Sequence, residues 1–231
     1  NEDNEFLAAE LKKAVTGELF GLELPDCVMS ASKQIFPRPN PAVDAIQAVQ
    51  TILEHPKGTM DPESRFYISR LQDNIMLQEL ENDRTVLTIK APRQMGKSSM
   101  LIRGIHQAKT QGKKVIYLDF QRLEEAVLKD PALFYPAFMG WIANKLRIQV
   151  DIASLWRESS LGDLMKCTCL MEDYILPAIE KPLVIAMDEV DRMLDAPFGS
   201  DFFGMLRSWY NGWFENEQWE SFSMLLVIST E

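Results

Sequence analysis

Between a β-branched run, Thr85-Val86-Leu87-Thr88-Ile89-Lys90, and a segment with Leu101, Ile102, Ile105 and Ala108 at helical spacing stands Ala91-Pro92-Arg93-Gln94-Met95-Gly96-Lys97-Ser98. Few short patterns restrict a fold as much. A loop that leaves a strand and enters a helix aims successive backbone N–H groups at one point, where the helix N-terminus also favours an anion. Gly96 lets an oxygen approach the backbone because no Cβ stands in the way. Lys97 supplies a mobile cation, and the Ser98 hydroxyl can ligate Mg²⁺. This is the spacing of a Walker A phosphate loop, with Ala91 where the first glycine usually stands and Ser99 following. The loop is expected to hold the phosphates of a nucleotide.

A second pattern lies downstream. Leu183-Val184-Ile185-Ala186-Met187 is wholly apolar and ends in Asp188-Glu189. An apolar run of this length suits a strand buried on both faces. Its carboxyl edge would set Asp188 beside the phosphate loop to hold Mg²⁺, directly or through water. Glu189 is then placed to polarise an attacking water, as a general base or an orienting group. The same residues also fit a strand that merely ends in solvated acids; the upstream loop favours the Walker B reading. A further apolar run, 222–228, ends in Ser229-Thr230-Glu231. In P-loop ATPases of the additional-strand class, an inserted strand ends in a polar sensor that bonds the γ-phosphate or the lytic water. Ser229 or Thr230 suits that role, and a plain polar strand end is the alternative.

Strands are expected at 85–90, 115–120, 183–187 and 222–228, and helices at 98–111, 132–146, 161–179 and 202–214. Strands alternating with helices indicate βαβ units, hence an α/β fold with a mostly parallel sheet flanked by helices. Phe202, Phe203, Leu206, Trp209, Tyr210, Trp213 and Phe214 spread round most of the last helix, which suits packing on the sheet. The first quarter differs. Phe6, Leu7, Leu11, Val15 and Leu19 predict an amphipathic helix over 4–20. The prolines of Phe36-Pro37-Arg38-Pro39-Asn40-Pro41 forbid helix. A short helix is expected over 42–53, broken by His55-Pro56-Lys57-Gly58. The chain thus divides into a helical leader, 1–57, and a P-loop core, 58–231.

The 231 residues are 46% hydrophobic and 25% charged, which excludes disorder and a disulfide scaffold. Lys+Arg 24 against Asp+Glu 34 leaves a formal charge of −10, a mean field that repels nucleic acid and anionic lipid. Basic runs stop at the pairs Lys12-Lys13 and Lys113-Lys114. Cys27, Cys167 and Cys169 are too sparse for a disulfide framework and suit a reducing compartment. Cys167 and Cys169, one residue apart in a helix, face different ways and read as small buried groups rather than metal ligands. No apolar run approaches the ~20 residues of a membrane span. A cytoplasmic protein without membrane partners is expected, and nucleic acid is disfavoured as a partner of this fragment.

Together with Phe66-Tyr67-Ile68-Ser69-Arg70, Tyr117-Leu118-Asp119-Phe120, Asp188-Glu189-Val190-Asp191-Arg192 and Ser229-Thr230-Glu231, the loop makes residues 58–231 resemble the bacterial AAA-like ATPase family. That family is common in cyanobacteria and related to STAND signalling ATPases and to archaeal and initiator-type AAA+ ATPases. The resemblance implies a P-loop NTPase of the additional-strand class, with strand order 5-1-4-3-2. It implies a switch that uses ATP/ADP and Mg²⁺ and hydrolyses ATP slowly. Because the sequence opens at Asn1 and closes with the fourth strand, it also implies a fragment whose fifth strand and helical lid follow residue 231. Tyr67 and Ile68 become candidate adenine contacts, and Arg70 a residue that structures that segment or responds to nucleotide. Arg93 and Arg192 become candidate charge sensors, and Asp119 a support for Mg²⁺ or water. Partners would be ATP, other domains of a parent chain and, in some arrangements, further copies of it. Three roles remain open: a switch for assembly or signalling in bacterial stress or antiphage defence, a nucleotide-bound scaffold without turnover, and a DNA-loading initiator-type ATPase. The acidic charge counts against the last.

Overall fold

The computed structural model describes residues 58–64 and 66–230. The chain divides into two compact units, Asn1–Gly58 and Thr59–Glu231, and all the strands and helices described belong to the second. The leader helices expected at 4–20 and 42–53 lie outside the described residues, as do Cys27 and Glu231.

Among the described residues four strands form one sheet: β1 (Val86–Pro92), β2 (Lys114–Asp119), β3 (Leu183–Asp188) and β4 (Phe222–Thr230). Their order is β1-β4-β3-β2, and every pairing is parallel. The last strand in sequence is therefore inserted between the first and the third, as the additional-strand class requires. Apolarity explains the placement. β3 is buried along its whole length and β4 through Ile228, so these two occupy the middle, where both faces are covered. β1 is more exposed and lies at an end of the described sheet.

The helices are α1 (Leu71–Glu79), α2 (Lys97–Thr110), α3 (Glu125–Lys129), α4 (Pro131–Leu146), α5 (Ile152–Glu158), α6 (Asp163–Leu170) and α7 (Gly199–Asn211). On one face of the sheet, Met76 and Leu80 join Leu101, Ile105 and Ala108 of α2 over Ile89, Val184, Ala186, Leu225 and Val227. Lys113 secures the end of α1. Its buried ammonium donates to Leu80 O and Asn82 O, each at 2.8 Å, and pairs with Asp83 at 3.0 Å.

The opposite face is aromatic. Phe134 stacks on Phe138 with centroids 5.5 Å apart, and Phe202 meets both edge-on at 5.4 Å. Such pairs contribute about 0.5–1.5 kcal/mol each beyond simple burial. The core role expected for the aromatic helix is correct for Phe202, Phe203, Leu206 and Trp209, all buried on α7. Trp213 and Phe214 fall beyond it, in a 3-10 turn, and are exposed. Gly199 opens α7 because the chain passes too close for a side chain: a Cβ there would stand 1.9 Å from Met193 O.

The single helix expected at 161–179 is broken. α6 gives way to a π-helical turn, Met171–Ile175, in which Leu176 N donates to Met171 O at 2.8 Å. Glu172 within that turn accepts from Trp219 Nε1 at 2.8 Å.

Candidate functional site

The carboxyl edge of the sheet is the place where a parallel α/β fold gathers loop residues. β1 runs directly into the phosphate loop, and α2 starts at Lys97. Within the loop Gln94 (φ 64°) and Gly96 (φ 77°) take left-handed backbone, which bends the chain back on itself. Lys97 is 7% exposed, and its ammonium donates to Pro92 O at 3.1 Å, spanning the loop from inside. Arg93, Gln94 and Met95 are exposed at the tip. Ser98 sits on the first turn of α2, half-buried. Ser99 points elsewhere: it is buried, and its hydroxyl accepts from Met60 N at 3.1 Å, which ties the preceding segment to α2.

Asp188 ends β3 and is 4% exposed. One carboxylate oxygen, Oδ2, accepts from the Tyr117 hydroxyl at 3.1 Å; the other, Oδ1, accepts from Glu189 N at 3.0 Å. Burial, reinforced by Asp188 and Asp119, pushes the Tyr117 hydroxyl far above its ordinary range, so it remains a donor. Glu189 has left-handed backbone, φ 54° and ψ 35°. For a residue with a Cβ this costs on the order of 1–3 kcal/mol, a strain that concentrates at functional sites. The turn puts Glu189 Oε1 3.5 Å from the Ser229 hydroxyl.

The 3-10 turn after Glu189, Val190–Met193, fastens this edge on both sides. Asp191 Oδ1 accepts from Ser229 N at 3.0 Å. Arg192 Nη1 donates to Phe120 O at 2.6 Å and to Leu123 O at 3.0 Å, in the loop after β2. Arg192, a candidate charge sensor by the family resemblance, thus latches two backbone carbonyls through Nη1. The end of β4 lies beside the start of the phosphate loop, with Ser229 in register with Ala91 and Thr230 with Pro92. Asp119 is in register with Asp188, but its carboxylate is engaged by Gln121 N at 3.0 Å and Arg122 at 3.4 Å.

Arg70 lies over the loop. Its Nη1 donates to Met95 O at 2.8 Å, and a Cβ on Gly96 would come within 3.0 Å of its Nη2. Asp73 holds the same segment, accepting from Arg70 N at 2.6 Å and from the Tyr67 hydroxyl at 2.5 Å. Arg103 covers the Tyr67 ring at 4.2 Å and donates to Pro62 O at 2.8 Å. Burial and the Asp73 hydrogen bond push the Tyr67 hydroxyl up to about 12. Ile68 is 82% exposed.

The structure thus gathers the phosphate loop with Lys97 and Ser98, Asp188, Glu189, Ser229 and Thr230 at one edge. Tyr117 and Asp191 are the residues that motif reading passed over. The alternation of β2, which puts residues 117 and 119 on one face, was the available signal. Ser98 and Asp188 offer hard oxygen donors. Among the described residues no cluster of three or more His, Cys, Asp or Glu side chains could hold a metal. That donor set fits Mg²⁺ bound together with a nucleotide, since Mg²⁺ takes one or two protein ligands and completes its shell with phosphates and water. Cys167 is buried, and burial pushes its thiol far up; Cys169, half-buried, is raised for the same reason. Neither offers a ready thiolate.

Residues 55–231 match the family described as "AAA-like domain". Over 187 residues the chain is 26% identical to an uncharacterised WD repeat-containing protein of Synechocystis sp., an overlap of 79% of this chain and 15% of that protein. The chain therefore spans only a small part of that relative. Among solved structures, the Aeropyrum pernix ORC2 protein in ADPNP–ADP complexes aligns with a TM-score of 0.49 at 14% identity, over 74% of this chain and 45% of that one. The Walker-type ATPase PABY2304 of Pyrococcus abyssi aligns at 0.43 and 16%, over 71% and 45%. No helix among the described residues is long and apolar enough to cross a membrane.

Proposed function

The chain belongs to the AAA-like domain family, and from that premise we propose that its core binds ATP with Mg²⁺ and hydrolyses it slowly, as a molecular switch. One observation carries the reading: Lys97, the adjacent pair Asp188 and Glu189, and Ser229 come from three separate segments and converge on the edge where the phosphate loop opens. Loop N–H groups and Lys97 hold the phosphates, the ammonium leaving Pro92 O to do so. Ser98 and Asp188 hold Mg²⁺, which when bound neutralises phosphate charge. Glu189 orients and deprotonates the attacking water, and Ser229 or Thr230 responds to the terminal phosphate. Tyr67 and Ile68 lie in the segment assigned to the adenine.

The output we assign is assembly or signalling of the STAND kind, in bacterial stress or antiphage defence, through other domains of a longer chain. Support for further domains comes from the WD-repeat relative, of which this chain spans 15%. Phosphate release by the wild type and Glu189→Gln, measured alongside binding of a fluorescent ATP analogue, tests the reading. Loss of a general base costs about 10²–10⁴-fold in rate. The expected result is turnover lost in Glu189→Gln with binding retained. Equal release from both proteins, or binding by neither, overturns it.

A further inference from the structure

We propose that Tyr117 is a positioning residue for Asp188, fixing the carboxylate in the orientation that receives Mg²⁺. The inference rests on the nucleotide reading of the site and adds a residue that the phosphate-binding motifs do not contain.

β2 and β3 are parallel and in register, Tyr117 with Ala186 and Asp119 with Asp188. Side chains two apart share a face, so residues 117, 119, 186 and 188 all project to the side that α2 covers. Tyrosine is long enough to reach the diagonal neighbour on the adjacent strand. Its hydroxyl meets Asp188 Oδ2 at 3.1 Å, while its ring packs against the core beneath α2. The donor is thereby held by packing. With Glu189 N on Oδ1, each carboxylate oxygen has one donor, and the plane of the group is set. Each oxygen keeps a lone pair for a ligand. Asp119 cannot substitute, because it is an acceptor already engaged by Gln121 N and Arg122. Outer partners of this kind orient metal-binding carboxylates, and their loss typically costs about 10–100-fold in metal affinity.

The test is a binding experiment on the whole 231-residue chain. A mant-labelled, non-hydrolysable ATP analogue is titrated in EDTA and across a series of Mg²⁺ concentrations. Four proteins are compared: wild type, Tyr117→Phe, Asp188→Asn and the double variant. The expected result is that Tyr117→Phe binds as wild type in EDTA but needs about tenfold more Mg²⁺ for half-maximal enhancement. Asp188→Asn should abolish the enhancement, and Tyr117→Phe added to it should change nothing further. A Mg²⁺ dependence of Tyr117→Phe equal to wild type overturns the positioning role. So does an equal loss with and without Mg²⁺, which marks a packing residue only. If the wild type itself shows no binding or no Mg²⁺ enhancement, the nucleotide reading fails first and takes the role of Tyr117 with it.

Discussion

The Ser229 hydroxyl reaches Glu189 Oε1 over 3.5 Å, while the amide of the same residue donates to Asp191 Oδ1 at 3.0 Å. One residue of β4 therefore meets both the first and the third residue after Asp188. The two contacts differ in strength. The amide bond has ordinary geometry, whereas the hydroxyl contact is at the long limit of a hydrogen bond. A hydroxyl held so loosely can turn to a better acceptor without disturbing the strand that carries it.

Replacing Ser229 by alanine removes the loose contact and keeps the firm one. The expected effect is a fall in kcat of about tenfold, near 1.4 kcal/mol of barrier, with KM within about twofold of wild type. Steady-state phosphate release measures both constants. An unchanged kcat would transfer the sensor role to Thr230.

Lys97 and Arg70 hold the phosphate loop at different carbonyls, Lys97 at Pro92 O and Arg70 at Met95 O. Lys97→Ala is expected to lower affinity for a fluorescent ATP analogue by about 100-fold, since it deletes the cation buried in the loop. Arg70→Ala removes one exposed hydrogen bond to Met95 O and leaves the loop less fixed. About fivefold is expected there, near 1 kcal/mol. Anisotropy titrations give the ranking, and equal losses would contradict it.

Gly199 and Gly204 lie on the same helix in opposite situations. A Cβ at Gly199 would stand 1.9 Å from a backbone oxygen, which cannot swing aside; one at Gly204 meets nothing within 4 Å. Gly199→Ala should destabilise by about 3 kcal/mol or more as α7 is forced off Met193. Gly204→Ala should stabilise by about 0.5–1 kcal/mol through the unfolded chain. Urea midpoints at constant slope report both.

The Tyr67 hydroxyl, raised from its ordinary 10.0 to about 12, links stability to alkaline pH. Between those values the unfolded chain has released the proton and the folded chain has kept it, so stability falls as pH rises. The contribution is whole below pH 10 and gone above about 12. Tyr67→Phe should flatten that decline in denaturation curves taken from pH 9 to pH 12.

The four strands were legible because their apolar and β-branched runs are unbroken, and the aromatic helix because its spacing is helical. α1 was not foreseen: Leu71 and Ile75 face solvent while Asp73 is buried, so no apolar stripe marks it. α5 buries no residue and leaves no stripe either. The break after α6 coincides with a tertiary contact, the indole of Trp219 on Glu172, and no local pattern in 161–179 records either. At the site, spacing located Lys97, Ser98, Asp188 and Glu189. Roles that depend on cross-strand register were beyond it. Tyr117 acts through a neighbour 71 residues away, and Arg192 is taken up by two carbonyls across the sheet edge.

That bracket of Asp191 and Arg192 has a mechanical corollary. With one residue bound to the end of β4 and the next to the loop after β2, the ends of three strands share a single axle at Val190–Met193. A displacement of Glu189 therefore loads both flanks through these bonds, and tightly packed elements respond to such a load in steps rather than by continuous bending.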